Sequence, residues 1–574
     1  MTSRNAGWTR WVPAVEQFRS YEKAWLGHDI AAGLVLTALL VPAGMAYAQA
    51  SGLPAITGLY ATVIPLLAYA VFGPSRILVM GPDSSLAPLI AAVVAPLALN
   101  DPREAIALAG MVSVIAGLVC LLAGLAKFGF LAELLSAPVR FGYLNGIAVT
   151  IVVSQAPKLF GFSVKGDNLY HQGRGFVEGL VDGRTDGWAI AIGAGTLLVI
   201  VVLRHVAPRV PGTLVGVVGA IVVVAAFGLT DSGLDLVGRL PDGFPSPKLP
   251  TVSWDNMERL FGAALGVAFI SFADTSVLAR VYSARRGAEF DANQELVALG
   301  LVNVSAGLFQ GFAVSGSQSR TPVAEASGAR TQVAGVVAAA AVLGLLVAAP
   351  GAFTNLPEAA LAGVVIAAAI RMFAIAAVAR LASIRRSEFV LALAAFLAVA
   401  TLGPINGVVV AIALSLLNFM RRAWKPHTAE LVRVDGLKGY HDIARHPEGQ
   451  RIPGLLLYRF DGPLFFANAK FFVDDVLHHV DHSPAHVRVV VVTAEPVTDI
   501  DTTAADALAE LVRKLAARSI ALEFAEMKGQ LRERLAAYGL VDLIGADHFT
   551  RTTGEAVRRY VRNNDVDWVD WEDR

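Results

Sequence analysis

The chain has 574 residues, 55% of them AVILMFWYC and only 16% Asp, Glu, Lys or Arg, with a mean hydropathy of +0.58. That composition excludes a disordered chain and an ordinary soluble enzyme. The 47 bases and 47 acids cancel, but 24 of the acids and 18 of the bases fall in residues 426–574, so a charge-poor region precedes a charge-rich one and no basic surplus suggests nucleic acid.

Residues 1–27 lack the short apolar core and cleavage site of a signal peptide and read as a retained cytosolic arm. Apolar stretches suited to a bilayer then recur at 28–48, 55–72, 104–125, 131–156, 187–206, 212–229, 258–279, 293–310, 333–350, 358–378, 386–402 and 404–424. Two shorter segments, 83–98 and 317–330, read as half-helices, giving fourteen segments over 28–425 and both termini on one side. Lys and Arg near the segment ends, including Arg76, Lys127, Arg204, Arg209, Arg280, Arg285, Arg286, Arg330, Arg380 and Arg421, make that side cytosolic and the membrane the inner, cytoplasmic one. The loop 157–186, with Lys158, Lys165, Arg174 and Arg184, is the exception to this charge bias.

The lone cysteine, Cys120, lies in an apolar run, so neither a disulfide nor a thiolate metal site is expected. After Pro426 the pattern becomes soluble α/β over 426–565, followed by a tail at 566–574. Strands are predicted at 454–460, 487–493 and 520–524, and helices at 469–480, 504–517, 529–538 and 554–561.

The chemistry concentrates at two interruptions. Met80-Gly-Pro-Asp-Ser-Ser-Leu-Ala-Pro88 and Val314-Ser-Gly-Ser-Gln-Ser-Arg-Thr-Pro322 each pair an extended apolar stretch with glycine and a cluster of small hydroxyl residues. Breaks in lipid survive only where protein buries them or they line a cavity, and matched breaks mark transporter sites. Two half-helix N-termini facing each other present orphan N–H donors and positive dipole ends, an anion trap to which Ser84, Ser85, Ser317 and Ser319 add hydroxyls. Asp83 reads either as an N-cap or as a site carboxylate. Asp274 is the most isolated acid within a span, either a coupling-ion or proton site or one half of an ion pair with Arg320.

These residues carry a resemblance. Val41-Pro-Ala-Gly-Met-Ala-Tyr-Ala48, Thr57-Gly-Leu-Tyr-Ala61, Gly81-Pro-Asp83, Ser154-Gln-Ala-Pro-Lys158, Asn293-Gln-Glu-Leu296 and Ser317-Gln-Ser-Arg320 resemble the sulfate permease (SulP) anion transporters, over about residues 15–560. Residues 461–469 and 499–504 resemble that family's STAS domain. The resemblance implies an α-helical polytopic membrane protein with a seven-plus-seven inverted repeat of core and gate domains and a cytosolic α/β STAS domain. It implies that Tyr47, Asp83, Ser84, Asp274, Ser317, Gln318, Ser319 and Arg320 face the site; with Ser85, Ser315 and Gly316 of the two interruptions added, these are the expected substrate contacts, Asp274 being the coupling-ion residue. Ala43, where many members have glutamine, and Asp83, where many have an apolar residue, depart from the family pattern and leave the anion open. Leu278, in place of a hydroxyl found in some sodium-coupled members, favours a proton.

Thr502 matches a phosphorylated serine of related anti-sigma antagonists and reads either as that regulatory site or as a helix cap. His478, His479, His482 and His486 lack a further ligand at defined spacing and read as a solvated face rather than a metal site. The expectation is secondary transport of a small inorganic anion, sulfate first, coupled to protons or sodium, by a homodimer with a possible cytosolic STAS partner. Bicarbonate or dicarboxylate transport, and a membrane-tethered STAS module that does not transport, are the alternatives. No enzyme, cofactor or metal is expected, since neither a nucleophile elbow nor a phosphate-binding glycine loop occurs in the tail.

Overall fold

The computed structural model describes residues 11–573 apart from 100, 134, 135, 165–168, 209, 242, 245, 286–288 and 565. The first ten residues of the expected arm, and Lys165, Arg209 and Arg286, lie outside the described residues. The chain divides into two units, Met1–Ser415 and Leu416–Arg574.

In the first unit eight described helices are long and apolar enough to cross a membrane: Lys23–Ala50, Ala55–Phe72, Pro102–Leu125, Ala137–Leu159, Gly187–Val206, Trp254–Arg285, Glu358–Ile384 and Pro404–Trp424, the last of which runs across the unit boundary. The other four expected spans are helical but shorter. They are Gly212–Phe227, Ala292–Leu308, Val333–Ala348 and Arg386–Leu402, of 16, 17, 16 and 17 residues. Gly228 and Gly403, at φ 62° and 85°, end the first and last of these, and Pro350 follows the third. Of the eight, Glu358–Ile384 consists of two helical pieces, Glu358–Met372 and Ile375–Ile384, divided where Asn145 Oδ1 accepts the Ala374 N–H at 2.9 Å. Within the 157–186 loop lies an amphipathic helix, Leu169–Val181.

Carboxylates fix several helix starts. Asp101, Asp186 and Asp291 accept N–H bonds at 2.7–3.2 Å from Arg103, Ala189, and Asn293 with Gln294. Helices Pro102–Leu125 and Ala292–Leu308 then pack antiparallel through glycines one heptad apart. A Cβ on Gly117 would lie 2.6 Å from the Gly300 carbonyl oxygen, and one on Gly307 would lie 2.4 Å from that of Gly110. Only a missing side chain permits this approach, the usual way helices meet where lipid offers no hydrophobic driving force.

The second unit holds a six-stranded sheet. Its strands are β3 (Thr428–Arg433), β4 (Tyr440–Asp442), β5 (Leu455–Phe460), β6 (Val489–Thr493), β7 (Ala521–Ala525) and β8 (Phe549–Thr550), in the order β4-β3-β5-β6-β7-β8; β1 (Met80–Gly81) and β2 (Ser315–Gly316) belong to the first unit. The β5 to β8 pairings are parallel and the two involving β3 antiparallel. Helices Ala469–Asp481, Thr502–Ala516 and Gly529–Ala537 cover one face with Phe472, Leu508, Leu511 and Leu531. Helix Thr553–Asn564 covers the other with Ala556, Val557 and Tyr560. Residues 566–573, expected as a plain tail, extend this second layer. Trp568 packs there, and Asp570 reaches Arg433 with oxygens 2.8 and 3.0 Å from its nitrogens.

Candidate functional site

The two interruptions meet. Met80–Gly81 (β1) pairs antiparallel with Ser315–Gly316 (β2), Met80 opposite Gly316 and Gly81 opposite Ser315. Many of the backbone groups freed by the breaks have a protein partner close by. Ser317 N–H donates to the Val79 carbonyl at 2.9 Å, and Thr321 Oγ1 accepts from Val79 N–H at 3.1 Å. Thr275 Oγ1 accepts from Gly316 N–H at 2.9 Å, while Gln332 Nε2 donates to the Ser75 and Leu78 carbonyls, both at 2.9 Å. Behind them Asn303 holds both backbone groups of Val314, at 2.8 and 3.2 Å. This satisfaction by protein is what allows irregular backbone at membrane depth.

Beside the crossing lies a cavity of about 490 Å³. Seven expected residues line it: Tyr47, Asp83, Ser84, Ser85, Asp274, Gln318 and Ser319. An adjoining cavity of about 260 Å³ shares Tyr47 and Ser319 and adds Arg320 and Ala43. The remaining three expected contacts sit behind this wall. Ser315 and Gly316 are buried in β2, and the Ser317 hydroxyl oxygen is occupied by Arg320 Nε at 2.8 Å and Arg320 N–H at 3.3 Å. Arg320 thus engages the Ser317 hydroxyl, while Ser315 Oγ is buried without a partner among the described residues.

Asp83 is a cap. Its Oδ1 accepts the Ser85 N–H at 3.1 Å, just ahead of helix Ala87–Ala98, so the chain's own carboxylate takes a donor that the dipole argument reserved for an anion. The second half-helix is only Thr321–Ala326, six residues, with a correspondingly short dipole. The Arg320–Asp274 pair, one of the two alternatives for Asp274, does not form. Arg320 donates to Ser317 and to the Pro82 carbonyl, whereas Asp274 accepts from Ser85 Oγ at 2.9 Å and Gln318 Nε2 at 3.4 Å. Arg320 Nη1, buried beside Gly81, has no partner among the described residues.

Sequence reasoning missed the strongest positive charges. Arg140, Arg204 and Arg371 all line the larger cavity and form no ion pair among the described residues, so three guanidiniums face two carboxylates, Asp83 and Asp274. Arg204 was read only as an orientation marker. A signal existed for the others, since each is a cation within a turn of the end of a membrane helix, Ala137–Leu159 or Glu358–Met372.

In the second unit Thr502 is exposed and opens helix Thr502–Ala516, but Asp501 is the cap, accepting the Ala504 N–H at 2.8 Å. The rings of His478 and His482 lie 4.1 Å apart, and no group of three potential metal ligands occurs among the described residues.

Residues 26–395 match the family described as the sulfate permease family, and residues 446–556 match the STAS domain. A Mycobacterium tuberculosis protein named probable sulfate transporter is 42% identical over 98% of this chain and 99% of its own length. Human solute carrier family 26 member 6 is 32% identical over 81% of this chain and 63% of its own. The structure of murine solute carrier 26 family member A9, described as an anion transporter in the inward-facing state, superposes with a TM-score of 0.89 at 20% identity, covering 98% of this chain and 96% of that one. The chain belongs to the sulfate permease family: it is a multi-pass membrane protein of an anion-transporting family, not an enzyme, and carries a STAS domain.

Proposed function

From that membership, we propose that the protein moves a small inorganic oxyanion, sulfate first, across the cytoplasmic membrane by alternating access coupled to protons. The relatives named as sulfate transporters support the substrate. The observation that carries the mechanism is the Asp83–Ser85–Asp274 cluster in the arginine-lined cavity. Ser85 Oγ lies 3.1 Å from Asp83 Oδ1 and 2.9 Å from Asp274 Oδ2. One hydroxyl proton cannot serve two carboxylates. The chain closes when Asp274 carries a proton and donates it to Ser85 Oγ, which then donates to Asp83. Taking up that proton also removes one of the two negative charges facing the cavity, which favours an incoming anion. Tyr47, Ser84, Gln318 and Ser319, with Arg320 behind them and Arg140, Arg204 and Arg371 around the cavity, hold the substrate. Ser315, Gly316 and Ser317 position the crossing.

In this reading the core and gate halves form a seven-plus-seven inverted repeat, with transport domain boundaries at 28 and 425. Both termini are cytosolic, the active form is a homodimer, and the STAS domain, with exposed Thr502 open to phosphorylation, takes a cytosolic partner. The test is uptake of labelled sulfate, bicarbonate and dicarboxylates into proteoliposomes under separately imposed proton and sodium gradients. Sulfate accumulation on the proton gradient, lost in Asp274→Asn while equilibrium binding survives, is expected. Accumulation on the sodium gradient alone, or in Asp274→Asn as in the parent, overturns the proton assignment, and no uptake of any anion leaves a tethered STAS module.

A further inference from the structure

A second polar cavity, of about 480 Å³, lies on the far side of the first half-helix, lined by Gln49, Pro88, Thr150, Ser154, Gln155 and Lys158 among others. It abuts the first cavity closely. Ser85 lines one and Pro88 the other, and Tyr47 lines one and Gln49 the other, so each helix separates the two by a turn or less.

Helix Ala137–Leu159 connects them. Arg140 and Leu144 face the first cavity, and Thr150, Ser154, Gln155 and Lys158 face the second, about 27 Å from Arg140 to Lys158 at helical rise. Between them stand Tyr143, 1% exposed with no partner for its hydroxyl among the described residues, and Ile147, fully buried. Polar side chains at a spacing of three and four residues on a membrane helix mark a path rather than a lipid face.

The second cavity has donors to spare. Lys158 Nζ spends one N–H on the Gln49 carbonyl at 3.1 Å, leaving two. Gln155 is 4% exposed, yet its amide makes no hydrogen bond among the described residues. The hydroxyls of Thr150 and Ser154 donate to their own helix, at 3.0 Å to Gly146 and Ile151. Glu358 and Asp235, the acids near Lys158, share with it a separate pocket of about 40 Å³ and do not line this cavity. An ammonium and an unpaired amide donor over lone-pair hydroxyls suit an oxyanion and leave a cation without a carboxylate.

We propose that this second cavity is a transit site for the transported oxyanion, with Lys158 and Gln155 as its donors and the Tyr143–Ile147 turn as the seal between the two sites. The proposal rests on the anion-transport reading above. Cys120 is the chain's single cysteine and is buried, so Ser154→Cys supplies one accessible thiol. In full-length protein in proteoliposomes, sulfate is expected to slow modification of that thiol by an anionic, membrane-impermeant methanethiosulfonate about tenfold. Adding Lys158→Gln or Gln155→Leu abolishes the protection, and Lys158→Arg retains it. Either loss variant alone raises the half-saturating sulfate concentration for uptake about tenfold; should Lys158→Gln fail to fold, Gln155→Leu carries the test. Equal modification rates with and without sulfate, in Ser154→Cys protein that accumulates sulfate, overturn the transit site and leave the transport reading intact. Absence of sulfate uptake by the unaltered protein overturns that reading, and this one with it.

Discussion

Among the described residues each unit buries one arginine, and the two are treated in opposite ways. Arg433 of the STAS unit, 4% exposed, is saturated. Nε and Nη2 bind Asp570, Nη1 donates to the Leu437 and Gly439 carbonyls at 3.0 and 2.8 Å, and the rings of Tyr440 and Trp571 flank the guanidinium at 5.5 and 5.3 Å. Arg320 of the membrane unit, 3% exposed, has neutral partners only, Ser317 and the Pro82 carbonyl, and an idle Nη1. A buried charge is tolerated when its field is cancelled or when something else is to cancel it. The first arginine is cement for the C-terminal segment. The second, on the function proposed above, holds its charge for an anion.

The largest effect that would break this contrast is at Arg433. Asp570→Ala removes the nearer of two carboxylates from a buried guanidinium and leaves Glu572 at 3.4 Å, and the STAS unit is expected to lose about 3 kcal/mol. Unfolding followed by Trp571 fluorescence measures it, with anion binding unchanged. Arg320→Gln should do the reverse. Its hydrogen bond to a charged ligand is worth about 1.5 to 3 kcal/mol, so affinity falls roughly ten- to a hundredfold by isothermal titration, with a smaller change in melting temperature. A melting loss as large as that of Asp570→Ala, at undiminished affinity, would make Arg320 a second piece of cement.

A finer distinction separates the two serines around Arg320. Ser84 lines the cavity, so Ser84→Ala should weaken anion binding about fivefold and leave stability untouched. Ser317 holds Arg320 Nε, so Ser317→Ala should cost about 1 kcal/mol of stability and alter affinity only through the shifted guanidinium. Equal effects in both binding and melting assays would erase the division between lining and supporting residues.

The smallest effect is in acid. Burial would raise the Asp570 carboxyl, but hydrogen bonds and charge from Arg433 more than offset it and hold the group below the ordinary value of 3.8. A depressed folded-state value contributes stability that is complete above pH 4 and lost as pH falls through the lower folded value. Full-length protein should therefore show a STAS melting point that drops below about pH 4, and Asp570→Asn should flatten that dependence. Tyr440, pushed up to about 12 chiefly by burial, stays neutral throughout and cannot account for such a drop.

The legible parts of the fold were those written in local composition. Apolar runs of bilayer length gave the helices, and apolar runs alternating with amphipathic stretches gave β5, β6 and β7, interior strands that carry at most one charged residue each. Strands β4 and β8, of three and two residues, are too short for any periodicity. Strand β3 mixes Thr, Glu and Arg among its apolar residues, because the Arg433 charge is met by a segment 137 residues away.

At the site, the sequence alone placed glycine, proline and small hydroxyls inside two apolar stretches, because backbone that leaves a helix in lipid needs residues of that kind. It also placed an acid, Asp274, where no soluble-domain logic would put one. Tertiary structure decided which of those groups face the cavity. It turned Ser317 toward Arg320 and Asp83 onto its own half-helix, linked Asp274 to Ser85, and brought Arg140, Arg204 and Arg371 from three distant helix ends into one wall. Those outcomes depend on which helices lie side by side, and that follows from close contacts such as Gly117 against Gly300, made between residues 183 positions apart, which no local pattern encodes.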